Sequence, residues 1–349
     1  VSLLVYNNAT AGIAPYDVTP GYYYWDGTQW LKLAVGSSSD DWNVLGNAGT
    51  NSSVNFLGTT DDVDLIFRRN NTRAGRLGVL NTSFGVNALN TAVAGTENTA
   101  IGVGSLSVLT TGVRNTVVGN LASQNATGDS NTVVGYKSMQ SNNGTNNVGI
   151  GIEAIMNNLG SHNIGIGFQA GQSSFGNNSS SYNVAIGDRA STNATMMNTI
   201  AIGKNANRGG YNTTNGTPYS RIAIGENALS NSGYFISTTA IGIGYSALRG
   251  NTGLRTIAIG DHSIDGGAAA TSSSGQDLIA IGNEVLRDPS NASGMNIGIG
   301  NRVMTNIQNG SSNVAIGHWA AYNLDNGNGN TISGNNAFNS GAGDNNVGI

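Results

Sequence analysis

A glycine that returns most often every 16 or 17 residues, with a longest gap of 22, sets the terms on which this chain can fold. From residue 81 a phrase recurs: Asn-Thr-Ala-Ile-Gly, two variable residues, a small residue, then often a large apolar one. Its glycines are Gly85, Gly102, Gly119, Gly135, Gly151, Gly167, Gly187, Gly203, Gly225, Gly244, Gly260, Gly282, Gly300, Gly317 and Gly334. A further copy begins at Asn346 and stops before its glycine. A unit this short cannot enclose a core of its own, so the copies must stack on one another.

Each position in the copy has a physical character. Three residues before the glycine every side chain is β-branched, as in Thr82, Thr99, Ile200, Ile257 and Val314. One residue before it, 14 of 15 are Ile, Val or Phe, and Ser333 is the exception. Two residues apart, these columns share one face of a strand, which the pattern predicts to be the buried one. The column between them is Ala, Gly or Ser in 12 of 15 copies. It is predicted to face the other way and to admit a close neighbour. The glycine suits a sharp turn or a positive φ. The large apolar residues that follow, such as Leu89, Leu106 and Ile155, read as a second short strand. Ten copies open with Asn, whose stacked side chains can form a hydrogen-bonded ladder along the axis. At about 4.8 Å per coil, fifteen coils would span roughly 70 Å. The private core of such a coil is thin, so several chains are expected to pack side by side through the small-residue columns. The expected fold class is all-β: a parallel β-roll or β-solenoid, preceded by a small N-terminal β module.

Composition supports this and excludes much else. Gly and Asn number 52 and 51, and only 10% of residues are charged, too few for the exposed faces of a helical or α/β enzyme domain. Disorder is disfavoured, with 38% hydrophobic residues and a net charge of −4. That charge leaves no basic footprint for nucleic acid, and no apolar run reaches the roughly 18 residues of a membrane span. There is no Cys for a disulfide framework or a thiolate metal site. The start at Val1 and the stop in mid-pattern read as a stretch of a longer polypeptide.

The phrase Asn-Thr-Ala-Ile-Gly-x-x-Ala/Ser-Leu over residues 81–349 resembles the head repeat of trimeric autotransporter adhesins (YadA-like), and the same repeat in phage tail-fibre proteins. The resemblance implies a left-handed parallel β-roll, three chains around one axis, and a role in attachment. Many copies here are a few residues longer than the compact adhesin unit, and the Thr-bearing form looks more like tail fibres.

The first eighty residues differ. Residues 1–35 read as a small aromatic-rich β module. It holds a strand over 2–6 and a hairpin of 21–25 and 28–33 joined at Asp26-Gly27. Its aromatic residues are expected to form its core. The motif resembles small β modules in surface and fibre proteins of Bacteroidetes-type bacteria and their phages. Residues 36–80 read as a linker and capping strands, with strands over 54–58 and 64–68 leading into the roll.

Candidate chemistry is sparse. His162, His262 and His318 occupy different offsets in the copy, so no stacked metal column is expected. Asp61, Asp62 and Asp64 read as turn chemistry rather than as the paired carboxylates of a glycosidase. The Asp325–Asn330 run lacks the downstream Glu of a calcium loop. No catalytic, cofactor or metal residue is assigned. Recognition is expected on the longer loops at 171–182, 207–220, 230–239, 265–277 and 287–295. The receptor-contact candidates there are Phe175, Tyr182, Tyr211, Tyr219, Tyr234 and Phe235, since exposed aromatics suit sugars or proteins.

The expected function is that of a non-enzymatic homotrimeric fibre, extracellular on a virion, injection system or bacterial surface. Its partner would be a host cell-surface glycan or protein receptor. A bacterial trimeric adhesin is the alternative. A β-solenoid depolymerase, which would need carboxylates converging in a groove, is the further one. Ice binding by a Thr array is disfavoured, because Thr fills the β-branched column in only five of 15 copies.

Overall fold

The computed structural model describes residues 3–10, 19–33, 45–90, 95–157, 159–172, 181–193, 197–209, 220–230, 239–250, 255–266, 277–287, 294–307, 309–339 and 343–349. Among them there is no helix, and all regular structure is β. The chain divides into two units, Val1–Asp62 and Val63–Ile349.

The first unit holds an antiparallel sheet of β1 (Leu4–Asn7), β2 (Gly21–Trp25) and β3 (Trp30–Lys32). The hairpin turn is fixed by Asp26, whose carboxylate accepts the N–H groups of Thr28 and Gln29, each at 2.8 Å. The bond from Gln29, then that from Thr28, holds this carboxyl below its ordinary range. The expected aromatic core does not form. Of the aromatic residues in these strands only Tyr23 is buried, its hydroxyl donating to the Thr19 carbonyl at 2.8 Å. Tyr6, Tyr22, Tyr24, Trp25 and Trp30 are exposed and pair edge-on or tilted, Tyr6 with Tyr22 and Trp25 with Trp30. Among the described residues these three strands have no second layer, and so no interior in which to hide such rings. The expected strand over 54–58 is also absent. The Asn51 carbonyl accepts the N–H groups of Val54 and Asn55, which closes the backbone into a turn.

The second unit opens with β4 (Leu65–Arg69) and β5 (Thr72–Leu77), joined by Asn70 and Asn71 at φ 46° and 56°. Two left-handed residues make the turn whose twist matches a hairpin. β5 pairs antiparallel with β6 (Asn81–Phe84), the first strand of the repeat, and so covers its edge. From β6 one strand per coil continues in parallel to β21 (Val347–Gly348). The columns align in register: Ile164 faces Val184, Gly165 faces Ala185, and Ile166 faces Ile186. The second unit is a β-solenoid.

The faces of the strand are the reverse of those expected. The small column points inward: Ala100, Ala185, Ala201, Ala223, Ala258, Ala280 and Ala315 are all buried. Leu89, Leu106, Met139, Ile155, Leu229, Leu248, Ile264, Leu286 and Met304 close the interior from the far side. The β-branched columns point outward, and Ile101, Val134, Ile150, Ile166, Ile202, Ile259, Ile281 and Ile316 are 36 to 44% exposed. Interior width decides this. A Cβ on Gly165 would lie 2.8 Å from the Ala170 carbonyl oxygen, so in that coil the inner face takes nothing larger than Gly, while Val117, Val133 and Ile332 fill the same inward column, buried, in three others. The small residues therefore fit the chain's own interior and are not contact surfaces for a second chain.

The expected second strand is a sequence of turns. Two and four residues after each repeat glycine the backbone is left-handed, as at Glu153 (φ 56°) and Ile155 (φ 51°). Alternating left-handed residues cannot extend into a strand, yet they still aim their amides at neighbouring coils. The Ile155 N–H donates forward to Ala170 at 2.8 Å, and the Glu153 N–H donates back to Tyr136 at 3.0 Å. Both edges of the coil are thus hydrogen-bonded, as stacking requires.

The asparagine ladder is present and buried. The Asn115 N–H donates to Asn98 Oδ1 at 2.9 Å, and the Asn131 N–H donates to Asn115 Oδ1 at 3.0 Å. The Asn115 side-chain amide also donates to the Gly128 carbonyl at 2.9 Å. Asn115→Ala removes the acceptor of two buried Asn131 donors. It is expected to cost about 2 to 3 kcal/mol, since buried groups left unpaired each cost about 1 to 3 kcal/mol. A thermal melt of the variant within 1 °C of the parent would contradict that role.

Candidate functional site

Each coil presents three things to its surroundings: a glycine corner, an outward Ile/Val face, and the side chains that follow the glycine. The corner admits no other residue. Gly203 has φ 127°, and a Cβ there would lie 2.7 Å from the carbonyl carbon and oxygen of Gly225 in the next coil. All fifteen repeat glycines share this positive φ. A second glycine column escaped the sequence reading. Gly112, Gly128, Gly310 and Gly327 sit seven residues before a repeat glycine, and their carbonyls accept from ladder asparagines. The regular seven-residue offset was its signal.

Of the receptor-contact candidates, Tyr182 is described. It is 56% exposed and stacks on His162 with ring centroids 4.8 Å apart. Phe175, Tyr211, Tyr219, Tyr234 and Phe235 lie outside the described residues.

The three histidines go to three different places. His162 lies against Tyr182, and His318 stacks on Trp319 at 5.6 Å. His262 Nδ1 is 2.6 Å from Asp265 Oδ2. Asp265 is buried and also takes two bonds from Arg249, at 2.9 and 3.0 Å, which raise the guanidinium above its usual range. Asp64 pairs with Arg76 at 2.6 Å. In the 325–330 run, Asn328 Oδ1 accepts the Ser311 N–H and hydroxyl, and Asn326 accepts from Asn309. His262 and Arg249 meet on Asp265, while the other groups pair separately, within a coil, between coils or across the β4–β5 hairpin. Among the described residues no group of three His, Asp or Glu side chains is placed to hold a metal, and no helix is long and apolar enough to cross a membrane.

Two outward features were not anticipated. The position after the glycine carries Val103, Tyr136, Ile152 and Phe168, all exposed, in the early coils, and Lys204 paired with Glu226 at 3.2 Å farther on. Late in the solenoid, His318, Trp319 and Tyr322 form one aromatic group beside Arg302.

Residues 1–51 match the family model of a phage tail like trimerisation region. That match covers the three-stranded sheet and none of the repeats. No curated protein and no solved structure matches the chain.

Proposed function

We propose that the chain is the subunit of a homotrimeric tail-fibre-type protein that acts without catalysis and attaches its carrier to a cell surface, outside the cell. The observation that carries this reading is the pair of β-branched columns left half-open along the whole ladder. A contiguous outward face of Ile and Val is what a soluble chain covers with another chain. Closed symmetry is the ordinary way to do so without runaway growth. The match of residues 1–51 to a trimerisation region supports three copies. So do the rings of Tyr6, Tyr22, Trp25 and Trp30, which one copy leaves uncovered. Against the small-column contact expected from the sequence, the Ile/Val face is the interface in this reading.

The test has two arms. Sedimentation of the purified protein is expected to give three times the chain mass of 35.6 kDa. The labelled trimer is expected to decorate cells of a susceptible bacterial host without releasing oligosaccharide from their envelope. A monomer removes the trimer, absence of binding removes attachment, and released oligosaccharide would favour the depolymerase.

A further inference from the structure

We propose that His318, Trp319 and Tyr322, with the Arg302–Glu284 pair beside them, form a binding subsite for a neutral sugar, a hexose or an N-acetylhexosamine. This rests on the attachment reading and names the chemistry that reading leaves open.

Trp319 is the one tryptophan in residues 81–349. It stands two residues after Gly317, in a column where every described backbone is left-handed. Elsewhere that column holds Asn, Gly, Leu, Lys, Glu, Gln, Arg, Ser or His. The left-handed backbone there belongs to the coil and not to the tryptophan, so the fold itself presents the ring outward at this position. Its indole Nε1–H is enclosed without a hydrogen-bond partner, a cost that the fold leaves uncompensated. A ligand hydroxyl, admitted by a small movement of the flanking side chains, is the acceptor it lacks.

The surroundings suit a sugar. His318 and Tyr322 stack on the indole at 5.6 and 5.3 Å with interplanar angles of 27° and 24°. Together they extend an aromatic surface on which the C–H face of a pyranose can lie. The Arg302 guanidinium is 5.9 Å from the indole centroid, and its Nε is 2.9 Å from Glu284 Oε2. A guanidinium and a carboxylate side by side offer donors and an acceptor to neighbouring hydroxyls. Glu284 engages Arg302 at 2.9 Å and Arg287 at 3.5 Å, so both guanidiniums are already held by a carboxylate, and the neutral class is chosen on the rings and the amide rim. Asn301 and Asn283 continue the rim with amides, bonded at 3.3 Å. A protein partner would favour a broader apolar centre than three rings bordered by amides.

The test uses the full chain labelled with 5-fluorotryptophan, the Trp319 resonance being assigned by its loss in Trp319→Phe. The probes are neutral hexose and N-acetylhexosamine oligomers, with uronic-acid oligomers as the anionic arm. At least one neutral class is expected to shift the Trp319 signal. Trp319→Ala is expected to weaken that binding about 10-fold or more, the scale of one lost aromatic contact. Tyr322→Ala, which spares Trp319, is the second variant should Trp319→Ala fail to assemble. A Trp319 signal unmoved by the neutral panel, or moved by uronic acids alone, overturns the proposal. So does undiminished binding by both variants. A wild-type fibre that binds cells while Trp319 stays silent removes the subsite and leaves attachment standing. A responsive Trp319 on a fibre that binds no cells does the reverse.

Discussion

Gly203→Ala is expected to open the middle of the solenoid, while Gly171→Ala, two coils away, is expected to do almost nothing. The first places a Cβ 2.7 Å from the backbone of Gly225 at φ 127°, a conformation essentially reserved for glycine. Neither side can yield, because both are backbone held by coil-to-coil bonds such as Gly225 N–H to Ile202 O at 2.8 Å. Strain of about 1 to 3 kcal/mol and a clash of similar size give a loss of about 4 kcal/mol. In a stacked array that loss falls on the coil and its immediate neighbours. Hydrogen exchange should therefore lose protection around strands Val184–Ile186, Thr199–Ile202 and Ser220–Ile224, with the outer coils spared. Gly171 has φ 67°, and its nearest foreign atom would be 3.6 Å from a Cβ. The same column already holds Ala321 at φ 52°. A reduced unfolded-state entropy offsets part of the left-handed cost, leaving a net change of about 1 kcal/mol or less. Equal exchange profiles for the two variants would refute the steric reading of the repeat glycine.

Ile166→Glu combined with Ile202→Glu is expected to leave the coils folded and weaken the trimer strongly. Both side chains already meet solvent in a single chain, so the circular dichroism of the roll should survive. In the proposed assembly the same carboxylates would be buried without partners, two per chain and three times over. Each such charge costs several kcal/mol, so the assembly constant should fall by about 100-fold at the least. Sedimentation over a dilution series should then show dissociation towards the single-chain mass at concentrations where the parent stays trimeric. Ala185→Glu is the counterpart, since it puts a charge into the coil interior and should open the roll at that coil and its neighbours. A double variant as resistant to dilution as the parent would move the interface away from the Ile/Val columns.

The repeat was legible because backbone geometry writes it directly: the glycine marks the tight corner, and β-branched residues mark the strand. What alternation does not encode is which face is inside. Large apolar residues suggested a core at Ile166 and Ile202, and only the narrowness of the coil shows that Ala185 and Ala201 belong there instead. Leu89 and Ile155 looked like strand residues because their apolar character says nothing of φ. Their left-handed backbone follows from the path of the turn, which is set by the whole coil. The Asn70-Asn71 pair was a readable hairpin signal, overlooked because the two strands it joins are rich in arginine rather than alternating. The Trp319 group was missed for a different reason. Attention to columns favours what repeats, and this group is singular. Its sign in the sequence was one tryptophan among fifteen otherwise tryptophan-free copies.

The buried amide chain runs from Asn81 to Asn183, ends on the Thr199 N–H, and resumes from Asn296 to Asn346. Between those stretches Arg221, Ala240, Thr256 and Leu278 take its place in the register. Its bonds lie along the stacking direction, from each coil to the next. The asparagine contribution to cohesion along the stack is therefore carried by two separate stretches rather than one continuous chain, and through the central coils the paired strands join one coil to the next.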